Sequence, residues 1–292
     1  LLTFEEIVRV VTASVQLGVR KIRLTGGEPL VRSNIEQLVE MIASVKGIED
    51  IAMTTNAYLL DGMADKLKRA GLHRVTVSLD SLDDEVFQQM NGRGFSTAKV
   101  LKGISAAKEA EFDVIKINAV VQKGVNEHTL LELVEWCREN NIVPRFIEYM
   151  DVGTLNGWKL DEVFSAAEIV SLINSEYPVE PAGPNYLGEV AKRYRFKDGN
   201  GEFGVISSVS QPFCGDCTRA RLSPEGQFVT CLFAESGKDL RKLLRHGVDD
   251  RELSEEMANV WAVRDDKYSE DRSSMTVPRK KVEMYHILIS HH

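Results

Sequence analysis

Three of the chain's four cysteines, Cys214, Cys217 and Cys231, crowd into one short segment, and two arginines, Arg219 and Arg221, follow closely on the second. The C-x-x-C spacing of Cys214 and Cys217 points two thiolates at one place. Ser223-Pro224-Glu225-Gly226 has Pro at the second and Gly at the fourth position of a type I turn. Residues 219–222 and 227–233 are therefore predicted to pair as a hairpin that returns Cys231 opposite Thr218, to within a residue of register. Zinc on three such thiolates would need a fourth ligand from far away, Cys137 or His246. A four-iron cluster would instead leave one iron open to a ligand. The spacing leaves both open. Arg219 and Arg221 share a strand face with Cys217, and two forked cations beside an open iron would bind an anionic molecule that also touches the metal. The competing reading is a solvated strand face.

A second candidate cation lies in "VIKINAVV" (114–121). Ile115, Ile117, Ala119 and Val121 share one apolar face, so Lys116 and Asn118 point the other way. With helices on the apolar face, Lys116 projects into the sheet's concave interior, where it needs an anion. In "IRLTGGEPLVR" (22–32) two glycines follow a strand, Pro29 stiffens the turn, and Glu28 could accept from an ammonium.

These residues must be positioned by strands read at 21–25, 51–55, 74–80, 114–121 and 145–150, alternating with helices at 35–45, 61–70, 97–109 and 126–139. Strict alternation implies parallel strands with right-handed crossovers, in an open sheet or a barrel. Thr25, Thr54, Asp80, Gln122 and Tyr149 fall at strand C-terminal ends, the edge where such folds build sites. Thr3 and Glu6 form a capping box, so a helix opens the chain with no strand before it, and the first strand and loop of the βα repeat are expected to be missing. After Asp151 the alternation is expected to stop. Ser165 and Glu168 cap a further helix, residues 178–184 are rich in breakers, mixed hairpins lead to the cysteines, and helices at 238–245 and 250–263 close the fold. The division expected is 1–150 and 151–292.

The 292 residues, 43% hydrophobic, suffice for a large core. The net charge of −8 argues against broad nucleic-acid binding, so an anion must be met by a local cation cluster. No stretch approaches a membrane span and no leader pattern opens the chain, which points to a cytoplasmic protein without a membrane partner. Four cysteines are too few for a disulfide scaffold and suit ligand thiolates in a reducing compartment. Cys137, inside a helical stretch, reads as a core thiol.

Over nearly its whole length the sequence resembles the radical S-adenosylmethionine enzymes and, within them, the GTP 3',8-cyclase family of molybdenum cofactor biosynthesis. The resemblance is carried in order by "IRLTGGEPLVR", "TTNA", "VTVSLDSLD", "INAVVQKGVN", "RFIEYMDVG", "FCGDCTRARLSPEGQFVTCLF" and "RKKVEM". It implies an α/β fold, a partial parallel βα barrel with a C-terminal cysteine-rich hairpin extension. It implies that Gly27, Ser78 and Met150 bind S-adenosylmethionine, and that Arg23, Thr54, Lys116, Arg219 and Arg221 hold GTP. Cys214, Cys217 and Cys231 match ligands of the family's second four-iron (4Fe-4S) cluster. The implied activity is conversion of GTP to (8S)-3',8-cyclo-7,8-dihydroguanosine 5'-triphosphate, with an electron donor as partner and cyclic pyranopterin monophosphate synthase next in the pathway.

The sequence departs from the family in three places. The superfamily's C-x3-C-x2-C loop has no counterpart, since no cysteine precedes Cys137, and "RKKVEM" runs on into "YHILISHH" where the family ends in glycines. On these grounds the chain as given is expected to be shortened and inactive. Ala57 replaces the usual Gly after "TTN". Two further readings stand beside the cyclase: a zinc-stabilised, non-catalytic nucleotide-binding protein and a peptide-modifying radical enzyme, the latter usually richer in C-terminal cysteines.

Overall fold

The computed structural model describes residues 1–272 except Arg93, residues 153–156, Leu187 and Asp216, together with residues 289–290. The RKKVEM stretch and most of the tail after it lie outside the described residues.

The first half alternates as its periodicity predicts: α1 (Phe4–Gln16), β1 (Lys21–Leu24), α2 (Ile35–Ala43), β2 (Asp50–Thr55), α3 (Ala64–Arg69), β3 (Arg74–Ser78), α4 (Asp84–Asn91), α5 (Thr97–Glu109), β4 (Val114–Val121), α6 (Leu130–Glu139) and β5 (Val143–Glu148). The Thr3 capping box is formed in both directions, with Glu6 N donating to Thr3 Oγ1 and Thr3 N to Glu6. β1 to β5 pair in parallel and in sequence order. Their outward side chains, among them Ile51, Met53, Val75, Val77, Ile117 and Phe146, are buried with Val39, Ile42, Leu67, Ile104 and Val134 of the covering helices. Cys137 is fully buried in that layer, a core thiol as expected.

Beyond Asp151 the chain differs from the sequence reading. After α7 (Ala166–Glu176), with its Ser165–Glu168 capping box, come β6 (Val179–Ala182), β7 (Lys192–Phe196) and β8 (Glu202–Ile206). β6 and β7 are antiparallel, but β8 lies parallel to β5, Arg145 opposite Gly204, so the parallel sheet gains a strand after the point where alternation was expected to stop. The signal was weak because "EFGVI" is short and its partner is non-local. The remaining elements are β9 (Arg221–Leu222), β10 (Gln227–Val229), β11 (Lys238–Asp239), α8 (Leu240–Arg245), α9 (Asp250–Ala262), α10 (Tyr268–Asp271) and β12 (Ile289–Ser290). Among the described residues the strands join in one sheet, in the order β11-β10-β9-β12-β1-β2-β3-β4-β5-β8-β7-β6. β12 runs antiparallel along the outer edge of β1. No helix among the described residues is long and apolar enough to cross a membrane.

Candidate functional site

Strand alternation sends one row of side chains to the helices and the other to the concave face. Lys21, Arg23, Thr54, Arg74, Thr76, Lys116, Asn118, Arg145 and Ile147 fall in the second row; on β4 the buried positions are Ile115, Ile117, Ala119 and Val121, with Lys116 and Asn118 between them. Arg23 donates to Thr54 Oγ1 at 3.0 Å and to Thr76 Oγ1 at 3.2 Å, and Arg145 reaches the same Thr76 hydroxyl at 3.3 Å. Arg74 pairs with Asp50.

The cations in this interior outnumber their carboxylates. Burial, with Arg145 and Arg74 nearby, pushes Lys116 down to about 8. Burial and the same two guanidiniums push Arg23 down to about 9, and burial pushes Arg145 down to about 10. Arginine does not give up its proton in proteins, so these shifts express a charge that lacks an anion. Nε of Arg145 and Oδ1 of Asn118 are buried without a hydrogen-bond partner. Space for Arg145 comes from β8: a Cβ on Gly204 would sit 3.3 Å from Arg145 Cγ and 3.0 Å from Ala191 Cβ.

The cysteine segment closes this space from the other side. Gly226 N donates to Ser223 O at 2.9 Å, and Ser223 N to Gln227 O at 2.8 Å. With Gly226 at φ 92 this is the type I turn followed by a left-handed residue that closes a three-residue hairpin. The ladder sets Leu222 opposite Phe228 and Arg221 opposite Val229, and its continuation brings Cys231 level with Arg219, one residue from the expected register. Arg219 Nε donates to Cys217 Sγ at 3.1 Å, so the two share a face. Burial would raise Cys217, but the charge and hydrogen bonds of Arg219, with the Arg264 charge, together outweigh it and the thiol lies below its usual range. Burial raises Cys231. The solvated-face reading fails for Arg221, which is 6% exposed, has an unpartnered buried Nη1, and is pushed down to about 10 by burial and by Arg219.

A cavity of about 210 Å3 is lined by Arg23, Thr54, Met150, Cys214, Cys217, Arg219, Arg221 and Cys231, together with Asn118, Arg145, Arg264 and Asp266. The structure thus gathers three thiols and the cations of barrel and hairpin around one space. Among the described residues no group of three His, Cys, Asp or Glu side chains is placed to hold a single metal ion. Gly27, Ser78 and Lys116 are not in the lining. Gly27 is exposed just past β1, Ser78 ends β3, and Lys116 belongs to the deeper cation cluster. Arg145 was findable by the parity argument that singles out Lys116, while Asp266 and Arg264 carry no comparable signal.

Several expected groups brace the mouth. Glu28 accepts from Thr55 Oγ1 (2.6 Å), Asn56 N (2.7 Å) and Leu30 N (3.0 Å), which ties the glycine turn to β2 and engages three of the roughly four acceptor positions of the carboxylate suggested for an ammonium. Asp80 accepts from Val120 N at 2.8 Å and is raised to about 6 by burial, and Gln122 donates to Glu162 at 3.1 Å. Ala57 sits at φ 60, the left-handed region where glycine is at ease.

The pattern of the Radical SAM superfamily matches residues 1–137, and that of Molybdenum Cofactor Synthesis C matches residues 142–270. The chain is 50% identical to the GTP 3',8-cyclase of Acidothermus cellulolyticus over 94% of its own length and 76% of that protein's. It is 47% identical to the Staphylococcus haemolyticus enzyme of that name, over 98% and 85% of the two lengths. It is 49% identical to the one from Xanthomonas campestris pv. campestris, over 97% and 83%. Among solved structures, Streptococcus suis SuiB shares the fold with a TM-score of 0.58 at 18% identity, over 88% of this chain and 62% of that one. The sheet is therefore the partial barrel of an α/β radical SAM protein, whose superfamily implies a four-iron cluster and S-adenosylmethionine, and by its identity to these relatives the chain belongs to the GTP 3',8-cyclase family.

Proposed function

We propose that this protein acts in the conversion of GTP to (8S)-3',8-cyclo-7,8-dihydroguanosine 5'-triphosphate, with Cys214, Cys217 and Cys231 holding a four-iron cluster beside the GTP site. The observation that carries this reading is the shared cavity, in which three thiols meet Arg23, Thr54, Arg219 and Arg221. Family membership favours it over a zinc-stabilised binding protein or a peptide-modifying enzyme.

The purine would lie toward the cysteines and the triphosphate toward Arg23, Lys116 and Arg145, where buried cations lack an anion. Arg219 and Arg221 would contact the nucleotide between them, and Thr54 and Thr76 hold the Arg23 fork in place. Gly27, Ser78 and Met150, at or just past strand C-terminal ends, would cradle S-adenosylmethionine, which together with a reduced cluster would supply the radical chemistry at the ribose. Orientation and exclusion of water are the protein's share of this chemistry. With Cys137 buried in the core, the remaining three cysteines would ligate one such cluster, which on this reading would be the second, GTP-side one. Residues 1–150 would carry the S-adenosylmethionine side and 151–292 the second cluster and its arginines. An electron donor, a cytoplasmic setting and hand-over to cyclic pyranopterin monophosphate synthase complete the reading.

Anaerobic reconstitution followed by calorimetric GTP titration tests it. Arg219→Ala and Arg221→Ala should each weaken binding by about 1.5 to 3 kcal/mol, roughly ten- to a hundredfold, with the cluster intact. Unchanged affinity in both would remove the arginines from the site.

A further inference from the structure

The cysteine arms are poorly tied to each other by the hairpin itself. Its ladder ends at Arg221 and Val229, so Cys217 and Cys231 both lie past the last paired residues, and Cys214 lies farther out. Within the arms the structure records Cys217 N donating to Cys214 O at 3.2 Å and Phe233 N to Cys231 Sγ at 3.4 Å, contacts that do not span the gap.

A single stretch between α9 and the end of α10 reaches the neighbourhood of all three cysteines of this segment. Arg264 donates through Nη1 to the carbonyl of Cys217. Asp266 accepts from the hydroxyl of Thr230, the residue before Cys231. Tyr268 stacks on Phe233, two residues after Cys231, with ring centroids 4.2 Å apart. Glu270 accepts from the amide of Gly215, the residue after Cys214, at 3.3 Å. Arg264 and Asp266 face each other at 3.4 Å and are 14% and 25% exposed, so a partly buried ion pair links the grip on Cys217 to the grip on Cys231.

We propose that Arg264–Glu270 is a clasp that fixes the three thiols relative to one another before iron arrives, and that Arg264 and Asp266 are positioning residues of the cysteine site. The chemistry is that of the outer shell at metal centres, where groups touching the ligand-bearing chain decide how well the ligands are presented. The inference rests on the reading of Cys214, Cys217 and Cys231 as cluster ligands. Its geometric part, the fixed spacing of the thiols, does not need metal.

Two measurements on the full chain test it. In the reconstituted protein, Arg264→Ala and Asp266→Ala should lose iron to a chelator about ten times faster than the parent, with an altered electron paramagnetic resonance spectrum of the reduced cluster. Arg264→Lys, which can still donate to the Cys217 carbonyl, should recover most of the parent's retention. Glu270→Gln, at an exposed position, should fold normally and show the same trend more weakly. In metal-free protein carrying Cys137→Ala and Cys214→Ala, a short bis-maleimide should bridge Cys217 to Cys231 several times more slowly once Arg264 or Asp266 is removed, at an unchanged melting temperature. Parent-like iron loss and spectra, or parent-like bridging, in both alanine variants would overturn the clasp. So would faster iron loss in Arg264→Ala that lysine does not repair and that follows a drop in melting temperature. A parent that takes up no cluster would refute the proposed function, and the bridging rates would still decide whether the clasp exists.

Discussion

Raising the pH should uncouple the triphosphate from its site through Lys116. In the empty site its ammonium is held at about 8, against an ordinary value of 10.5, by burial and by Arg145 and Arg74. A bound polyanion reverses the sign of the local field and favours the charged ammonium, so above pH 8 binding must bring a proton with it. With a free-state value of about 8, roughly a tenth of the empty sites carry that charge at pH 9, against about nine-tenths at pH 7. GTP should therefore bind about tenfold more weakly at pH 9 than at pH 7, with uptake of about 0.9 proton at the higher pH and about 0.1 at the lower. Stability moves the opposite way for the empty protein. Between about 8 and 10.5 the unfolded chain binds more protons at this lysine than the folded one, so its penalty is full below 8 and is relieved as pH rises. Calorimetry in two buffers of different ionisation heat gives the proton count directly. Arg23 is pushed in the same direction, but a guanidinium keeps its proton, so Lys116→Met should abolish the uptake. Equal proton counts at pH 7 and 9, or uptake that survives Lys116→Met, would refute the argument.

Glu148 is fully buried and accepts from Ala166 N at 2.7 Å, Val209 N at 2.7 Å, Ser210 N at 2.8 Å and the Ser210 hydroxyl. Glu148→Gln turns an amide toward those donors and should cost about 2 to 4 kcal/mol in denaturant unfolding; a loss below about 1 kcal/mol would mean that the donors find other acceptors. Gly204→Ala should displace Arg145 and weaken GTP binding while leaving the iron content unchanged, as titration and iron assay would show. Cys137→Ala should retain full iron and sulfide, whereas Cys214→Ala should not; iron retained in Cys214→Ala would remove the cluster assignment.

The local devices could be read from the residues: both capping boxes, the Ser223–Gly226 turn, the parity of Lys116 and the buried Cys137 are each set by neighbours within a few positions. What could not be read depends on chain segments far apart. "EFGVI" becomes a parallel neighbour of β5 only through pairing across an intervening helix and hairpin. In "VRDDKYSED", alternating with exposed neighbours, Arg264 and Asp266 turn toward the cysteine arms, which offer a carbonyl and a hydroxyl that only the folded chain brings near. Glu28 is the converse case. Sequence can mark a carboxylate beside a glycine turn, but not that Thr55, Asn56 and Leu30 donate to it.

The two family patterns meet between residues 137 and 142, and that seam runs through the middle of a continuous sheet. β4, on one side, pairs with β5, on the other, from Lys116↔Val143 to Val121↔Glu148. Separately expressed halves would each expose a bare apolar-backed strand edge, prone to self-association. Produced together, the same edges would be each other's only well-matched template. The α6–β5 turn, where Asn141 takes a left-handed conformation at φ 55, is thus a rational place to split the chain for fragment complementation, with cavity formation itself as the reporter of reassembly.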